Sequence, residues 1–251
     1  MQQIAAVIIT HNEADNIGRC LESLQKVVAE ILVVDSNSTD DTVAICEKQG
    51  IPVIRREWEG YAKTKNFANS KVDSDWILSI DADEVVSIEL LQSIKTLHLE
   101  RGKVYSLDRI NNFCGQWIKH SGWYPDWKVR LFHKDDAYWV GNFVHEKLKF
   151  APNVAVVKLE GKLQHYSYNT YEEHQQRIQR YAKLAAAEMH QNGKSPNLIK
   201  TIFSAIARFF RTIVLRLGFL DGKNGWIIGF RNMKMVWLKY KELRNLKEKQ
   251  L

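Results

Sequence analysis

The chain has 251 residues, 45% apolar and 26% charged, an ordinary globular composition that excludes intrinsic disorder. Its 13 glycines and 4 prolines exclude a collagen-like or low-complexity chain, and its 3 scattered cysteines argue against a disulfide framework or a structural zinc site. Residues 194–251 carry 13 Lys+Arg against three acidic residues, a local charge of +10 within a total of +7, which leaves −3 for the rest. This separation predicts an anionic partner for the C-terminal part.

The first half of the chain alternates between buried strands and amphipathic helices. Continuous runs of branched apolar residues predict strands at Ile4–Thr10, Glu30–Asp35, 51–54 and 76–80. The segments between them have helical periodicity, including 60–72. This order is typical of an α/β fold in which a mostly parallel sheet has helices on both faces.

The second half of the chain has a different pattern. Residues 103–158 have short, β-like patterns that predict extra strands and loops at the sheet edge, whereas 171–190 and 225–246 are helical. We therefore expect two domains, 1–168 with the sheet and 169–251 with helices.

The basic C-terminal region begins with an amphipathic helix, for which Ser195-Pro196 is the predicted start. Arg208, Arg211 and Arg216 share one face of it, and aromatic and aliphatic side chains cover the opposite face. These arginines exclude a membrane span and predict an in-plane helix on an anionic membrane surface. The alternative is that these helices dock on the body or on another subunit, and the oligomeric state cannot be read from the sequence.

Carboxylates follow two of the predicted strands. Asp35 ends the second strand, and Asp81 and Asp83 follow the fourth, separated by one small residue. Ligands of open α/β sheets bind at the carboxyl ends of strands, and paired carboxylates hold hard cations such as Mg²⁺ or Mn²⁺ on a diphosphate. The alternative is a polar turn that caps the next helix. No metal role is assigned to the histidines at 11, 120, 133 and 165, which lack ligand spacing.

The chain resembles the family 2 glycosyltransferases of the GT-A fold in three segments, VIITHNE at 7–13, VVDSNSTD at 33–40 and LSIDADE at 78–84. Two later segments, KVRLF at 128–132 and VHEKL at 144–148, resemble bacterial enzymes that add glucose to the heptose of the lipopolysaccharide inner core. The resemblance implies a Rossmann-like GT-A catalytic domain over 1–168. The amphipathic, basic pattern of 169–251 predicts a helical, membrane-associating extension.

The resemblance also implies roles for individual side chains. Thr10 and Glu13 line the nucleotide pocket, Asp35 contacts the uracil or ribose, and Asp81 contacts the ribose or sugar. Asp83 binds the metal ion on the diphosphate.

Basic side chains are needed to neutralise the departing diphosphate. Lys128 and Arg130 are the candidates, whereas Lys63 and Lys65 are expected to lie on the solvated face of a helix. Arg130 stands among apolar residues, so it requires an anionic partner, either a phosphate or a buried carboxylate.

An inverting transfer also needs a base for the proton of the acceptor hydroxyl. The resemblance puts this role at Glu146, with Asp126 as the second candidate. A structural ion pair of Glu146 with Lys147 or Arg130 is the alternative.

The sequence thus predicts an inverting glycosyltransferase that uses Mg²⁺ or Mn²⁺ and moves a sugar, glucose by resemblance, from a UDP-sugar to a lipopolysaccharide core heptose. Because no signal peptide is visible, we expect a cytoplasmic protein, peripheral on the inner membrane. Sugar transfer to polyprenyl phosphate is an alternative. A basic nucleic-acid-binding protein is another, but the basic residues accompany an apolar helix and no nucleic-acid-binding motif is present, so we expect no nucleic acid partner.

Overall fold

The structure is a computed structural model that describes residues 3–141 and 146–248. The chain separates into two compact units. The first comprises Met1–Arg109 and Asp126–Tyr166, and the second comprises Ile110–Pro125 and Ser167–Leu251. The domains expected at 1–168 and 169–251 stay a prediction.

The first unit starts with the alternating pattern expected from the sequence. Its first elements are β1 (Ile4–Thr10), α1 (Ala14–Leu24), β2 (Glu30–Asp35), α2 (Thr42–Lys48), β3 (Val53–Arg55), α3 (Tyr61–Asn69), β4 (Trp76–Asp81), β5 (Glu84–Val86) and α4 (Ile88–Thr96). Strands dominate the following part, which contains β6 (Lys103–Phe113), β7 (Gln116–Ile118), β8 (Asp126–His133), β9 (Ala137–Val140), β10 (Lys147–Phe150) and β11 (Ala155–Tyr168). Of these strands, β7 belongs to the second unit, in which β6 and β11 also end.

The main sheet has the strand order β3-β2-β1-β4-β8-β6-β11-β5. Strand β1 is parallel to β2 and β4, and β2 is parallel to β3. Strand β8 is antiparallel to β4 and β6, and β5 is antiparallel to β11. The predicted α/β class is therefore confirmed: the parallel part is β3-β2-β1-β4, and antiparallel strands extend it.

Both faces of the parallel strands are buried, which is why their sequences are continuously apolar. Alternate side chains enter two separate cores. The core with α1 and α4 contains Ala6, Ile8, Ile17, Leu21, Leu78, Ile80 and Leu90. The core with α3 contains Ala5, Val7, Leu32, Val34, Ala62, Ala68 and Ile77. The two cores fix the strands from both sides, so the side chains at the strand ends are held by a rigid scaffold.

The second unit is mostly helical. Its elements after β11 are α5 (Tyr171–Gln191), α6 (Leu198–Phe210), a π-helical turn (Arg211–Leu215), a 3₁₀ turn (Gly218–Asp221) and α7 (Gly222–Glu248). None of the described helices combines the length and the apolarity needed to cross a bilayer.

The start of α6 differs from the prediction. Asn197, rather than Ser195, is the N-cap, because its side chain accepts a hydrogen bond from the Lys200 backbone N–H at 2.9 Å. The Ser195 hydroxyl instead accepts a hydrogen bond from Lys247 Nζ at 2.7 Å.

Candidate active site

Polar side chains meet at the carboxyl ends of three adjacent strands of the first unit. The register pairs Thr10 of β1 with Asp35 of β2 on one side, and Ile9 of β1 with Asp81 of β4 on the other. Asp35 and Asp81 therefore flank the end of β1 at the edge where open α/β sheets bind ligands.

Asp35 is fully buried and is held by the turn that follows its strand. Its Oδ1 accepts a hydrogen bond from the Ser38 backbone N–H at 2.9 Å, and its Oδ2 accepts one from the Ser38 hydroxyl. Beside it, the hydroxyls of Thr10 and Ser36 are buried and have no hydrogen-bond partner among the described residues. Because buried polar groups are normally paired, these two hydroxyls favour a polar ligand at this strand end.

Glu13 lies three residues after Thr10, directly before α1, and it is half-buried. Its Oε2 accepts a hydrogen bond from the Asn16 side-chain amide at 2.7 Å, and its backbone N–H donates to the Thr42 hydroxyl at 2.8 Å. These contacts fix the start of α1 next to the end of β1.

Asp81 is bound by two buried cations. Its Oδ1 accepts a hydrogen bond from Lys65 Nζ at 2.9 Å, and its Oδ2 contacts the Arg130 guanidinium. Burial by itself would raise the pKa of Asp81, but the charges of Arg130 and Lys65 outweigh it and hold this pKa well below its usual range. Asp81 is therefore an anion throughout the physiological range.

Arg130 has two carboxylate partners, and one of them, Glu84, is the buried carboxylate that is one of the two kinds of anion expected for it. Besides Asp81, its guanidinium lies 2.6 Å from Oε1 of Glu84, whose side chain is fully buried. Glu84 Oε1 is also 3.1 Å from Arg109, and Glu84 Oε2 accepts a hydrogen bond from the Asp81 backbone N–H at 3.0 Å. Arg130 Nε is buried and unpaired among the described residues.

Lys128 and Asp126 stand at the other end of this charge network. Asp126 Oδ2 lies 2.6 Å from Arg109, and its Oδ1 lies 2.9 Å from Lys128 Nζ. Burial would raise the pKa of Asp126, but Arg109 and Lys128 lower it below its ordinary value. The structure thus pairs Asp126, the second candidate base, with two cations.

Lys65 was expected on a solvated helix face, and this expectation is wrong. Its side chain is only 2% exposed, and its Nζ lies 4.4 Å from the ring centroid of Trp139. A signal was present in the sequence, because Ala62, Lys65 and Ala68 are spaced by three residues and share the apolar face of α3.

Glu146 lies beside this buried lysine. Its Oε1 is 3.8 Å from Lys65 Nζ, and its side chain is 25% exposed. Lys65 therefore links the candidate base to Asp81 at the end of β4. Val144 and His145 of the same motif lie outside the described residues.

Asp83 has a partner that sequence reasoning did not assign. His165 Nε2 of β11 lies 3.0 Å from Asp83 Oδ2, and both side chains are less than one-fifth exposed. A carboxylate and an imidazole fit Mn²⁺, and Mg²⁺ sites on phosphates often use only one or two protein ligands. Within residues 3–141 and 146–248, no three His, Cys, Asp or Glu side chains form a group that could hold a metal ion. A cation here would take its remaining ligands from phosphate oxygens and water.

Comparisons with known proteins place this site in a family context. The family model described as Glycosyl transferase family 2 matches residues 5–149. An uncharacterized glycosyltransferase of Rickettsia felis is 32% identical over 99% of this chain and 90% of its own length. The lipopolysaccharide core biosynthesis glycosyltransferase LpsC of Rhizobium meliloti is 27% identical over 94% of this chain and 93% of its own.

Solved structures give more distant matches. The crystal structure of S. aureus TarS 1-349 in complex with UDP-GlcNAc aligns with a TM-score of 0.45 and 15% identity, over 98% of this chain and 92% of that chain. A glucosyl-3-phosphoglycerate synthase from Mycobacterium tuberculosis, in complex with Mn²⁺ and UDP, aligns with a TM-score of 0.38 and 22% identity over 44% of each chain.

Proposed function

The chain belongs to glycosyl transferase family 2, and we propose that it moves glucose from UDP-glucose to a lipopolysaccharide core heptose with inversion at the sugar carbon. One observation carries the proposal: the register places Asp35 beside Thr10 and Asp81 beside Ile9, so that both carboxylates flank the end of β1 at one edge of the sheet. Three polar groups at adjacent strand ends are what a nucleotide needs for recognition of its base, its ribose and its diphosphate.

The donor lies across the ends of β2, β1 and β4 in this proposal. Asp35 contacts the uracil or ribose, and the unpaired hydroxyl of Thr10 takes a polar atom of the nucleotide. Asp81 contacts the ribose or sugar, and Glu13 closes the pocket behind Thr10. The ion pairs of Asp81 support this role, because a carboxylate fixed by Lys65 and Arg130 cannot reorient when the donor binds.

Asp83 and His165 would hold the divalent cation, Mg²⁺ or Mn²⁺. When bound, the cation neutralises the negative charge that develops on the departing diphosphate. Lys128 and Arg130 add positive charge on β8, and both side chains are already paired with carboxylates. Lys128 and Arg130 therefore contribute to the positive electrostatic potential of the site, and they also contact the donor directly when it binds.

Glu146 acts as the base of the transfer. It takes the proton of the acceptor hydroxyl as that oxygen bonds to the sugar carbon, while the bond from this carbon to the diphosphate oxygen breaks and UDP leaves. Its placement next to Lys65, which also binds Asp81, supports the assignment, because the base must lie near the sugar.

Similarity to a relative supports the acceptor, and charge supports the cellular location. The relative LpsC of Rhizobium meliloti is named for lipopolysaccharide core biosynthesis, and it aligns along nearly the whole chain. The local charge of +10 in residues 194–251 supports a peripheral location on the anionic cytoplasmic face of the inner membrane.

The test is a transfer assay with radiolabelled UDP-sugars and two acceptors, heptose-containing core oligosaccharide and polyprenyl phosphate. We expect UDP-glucose to label the oligosaccharide in the presence of Mn²⁺. If only polyprenyl phosphate is labelled, the proposed acceptor is wrong. If only another UDP-sugar gives labelling, the proposed donor is wrong.

A further inference from the structure

The second unit exposes an unusual amount of apolar surface on two neighbouring helices. On α6, Ile199, Phe203, Ile206 and Phe210 form one stripe, and their exposed fractions are 68, 70, 57 and 52%. Monomeric soluble proteins rarely leave a contiguous stripe of this kind to water, and such a stripe marks an interaction surface.

A second stripe on α7 continues the first. Trp226 and Phe230, one helical turn apart, are 44 and 53% exposed. The ring of Phe209 on α6 connects the helices, because its centroid lies 4.8 Å from that of Phe230 and 6.1 Å from that of Trp226. We call the four residues of the α6 stripe, together with Trp226 and Phe230, the apolar patch.

The turn between the two helices adds exposed apolar residues on a rigid support. Leu215 is 67% exposed and Leu220 is 56% exposed. Asp221 is buried below them, and it accepts hydrogen bonds from the backbone of Lys119 and from the hydroxyl of Ser121 at 2.7 Å. These hydrogen bonds therefore fix the turn. It keeps Leu215 and Leu220 exposed to water, although the exposure of apolar side chains is unfavourable.

The buried side of α6 is not the apolar stripe. Thr201 and Ala205 of α6, and Thr212 of the π-helical turn that follows it, face the interior of the unit and are 3 to 5% exposed. The more apolar side of this amphipathic helix is thus the side left open, which is the reverse of the usual packing of a helix on its own core.

Cations flank the patch without anionic partners. Lys200 of α6 and Arg211, the first residue after α6, are exposed and lie about 100° around the helix axis from the stripe. No lysine or arginine of residues 194–248 forms an ion pair with any described residue. Burial, and after it the nearby charges of Arg208 and Lys200, lower the pKa of Lys239, so the cations of this unit repel one another.

We propose that the apolar patch and the turn at Leu215 and Leu220 form a docking surface that inserts into the headgroup region of an anionic lipid bilayer. This inference rests on the membrane partner of the proposed function and names the surface that binds it. Aromatic and aliphatic side chains enter the boundary between headgroups and acyl chains, and the flanking cations bind lipid phosphates.

Charge decides between a bilayer and a second copy of the chain as the occupant. A symmetric dimer through the patch would bring two regions of local charge +10 against each other, whereas an anionic membrane neutralises them.

Vesicle flotation of the full-length chain tests the proposal, with phosphatidylcholine vesicles that contain or lack one-quarter phosphatidylglycerol. We expect the parent to float with the anionic vesicles. The double variant Phe203→Ser/Leu215→Ser should partition at least tenfold more weakly. A matched control, Ile88→Ser/Leu184→Ser, removes apolar side chains that are 76 and 44% exposed outside the patch and should float like the parent.

A second variant tests the cations. Lys200→Gln/Arg211→Gln should weaken the preference for anionic over neutral vesicles, because these side chains contact lipid phosphates in the proposal. Equal flotation of the parent on both kinds of vesicle, or none at all, overturns the proposal. Parental flotation of the Phe203→Ser/Leu215→Ser variant also overturns it.

Sedimentation velocity of the same proteins without lipid tests whether a second copy of the chain occupies the patch instead. A concentration-dependent dimer that Phe203→Ser/Leu215→Ser abolishes would assign the patch to a second copy. Transfer to soluble core oligosaccharide, measured without vesicles, separates this proposal from the proposed function. The Phe203→Ser/Leu215→Ser variant should transfer sugar as fast as the parent. If the parent itself transfers no sugar, only the proposed function is refuted.

Discussion

Glu146 is the residue on which the chemistry of the proposed reaction depends. Glu146→Gln keeps the size of the side chain but removes its ability to take the acceptor proton. We expect kcat to fall by about 10² to 10⁴-fold, the usual contribution of a general base. The KM for UDP-glucose should change little, because Glu146 faces the acceptor in this account.

Asp126→Asn is the matched control for Glu146→Gln. Asp126 is already paired with Arg109 and Lys128, so its neutralisation should leave kcat near that of the parent once the folded fraction is accounted for. If Asp126→Asn removes turnover and Glu146→Gln does not, the base is Asp126.

Arg130 holds two acidic side chains, so its removal should be costly for stability. Arg130→Met keeps most of the volume but leaves Asp81 and the fully buried Glu84 without this cation. Breaking a buried ion pair on one side costs about 3 to 5 kcal/mol of unfolding free energy. Urea denaturation measures this loss.

The control for Arg130→Met is Arg101→Met. Arg101 forms ion pairs with Asp135 and Asp136, but its side chain is 57% exposed, so the variant should unfold at nearly the parental urea concentration. Equal stability of the Arg130→Met variant and the parent would show that the carboxylates need no guanidinium.

At the scale of the element, the contact between α7 and the 3₁₀ turn depends on Gly225. A Cβ at this position would lie 1.8 Å from the backbone oxygen of Gly218, which cannot move as a flexible side chain would. Gly225→Ala should therefore lower the melting temperature, with overpacking costs of about 1 to 3 kcal/mol.

At Gly18 of α1, the same substitution to alanine should change the stability in the opposite direction. A Cβ there would meet Ile45 at 3.7 Å, an ordinary contact. Gly18→Ala should stabilise the helix by about 0.5 to 1 kcal/mol, because alanine has the higher helix propensity. If both glycine variants melt at the same temperature, α7 does not approach the 3₁₀ turn as closely as described.

Helix α5 contributes a pH dependence through His174. Burial lowers the pKa of His174 to about 4, and the charges of Arg231 and Arg177 add to this effect. Its Nδ1 accepts a hydrogen bond from Arg231 at 3.1 Å, which requires a neutral ring nitrogen. The unfolded chain binds a proton here near pH 6.5 and the folded chain near pH 4. Stability therefore falls as the pH drops through this window.

The expected loss between pH 7 and pH 4 is about 3 kcal/mol from this histidine alone. His174→Gln should remove this part of the slope of unfolding free energy against pH, as measured by urea denaturation. The exposed His98→Gln is the control for replacing a histidine with glutamine. An unchanged slope in His174→Gln would show that this ring is protonated in the folded chain.

Elements of the parallel half could be read from the sequence because both of their faces are buried. Strands β1 and β2 have the predicted bounds, and β4 is longer by one residue. The antiparallel strands have mixed patterns, and their pairing depends on distant partners such as Glu84 and His165. The sequence predicted strands within 103–158 but not their order, and it did not predict β5 or the part of β11 beyond residue 158.

At the scale of the whole molecule, long-range contacts explain what sequence reasoning missed in the site. Asp83 and His165 are 82 residues apart in the chain, so no local spacing revealed the pair. The network from Lys128 to Glu146 is likewise assembled from α3, β4, β5, β6 and β8. Asp81, Asp126, Lys128, Arg130 and Glu146 were predicted individually, whereas Glu84, Arg109 and the pairing of all these charges required the fold.

In the proposed function, the acidic side chains at adjacent strand ends bind UDP together with a divalent cation. The most direct measurement is calorimetric titration of UDP with Mn²⁺ or with EDTA, on the parent, on Asp83→Asn and on the exposed control Asp73→Asn. We expect Mn²⁺ to tighten UDP binding to the parent and to the control at least tenfold, and Asp83→Asn to lose this gain. Equal affinities with Mn²⁺ and EDTA in the parent, or a full Mn²⁺ effect in Asp83→Asn, would contradict the claim.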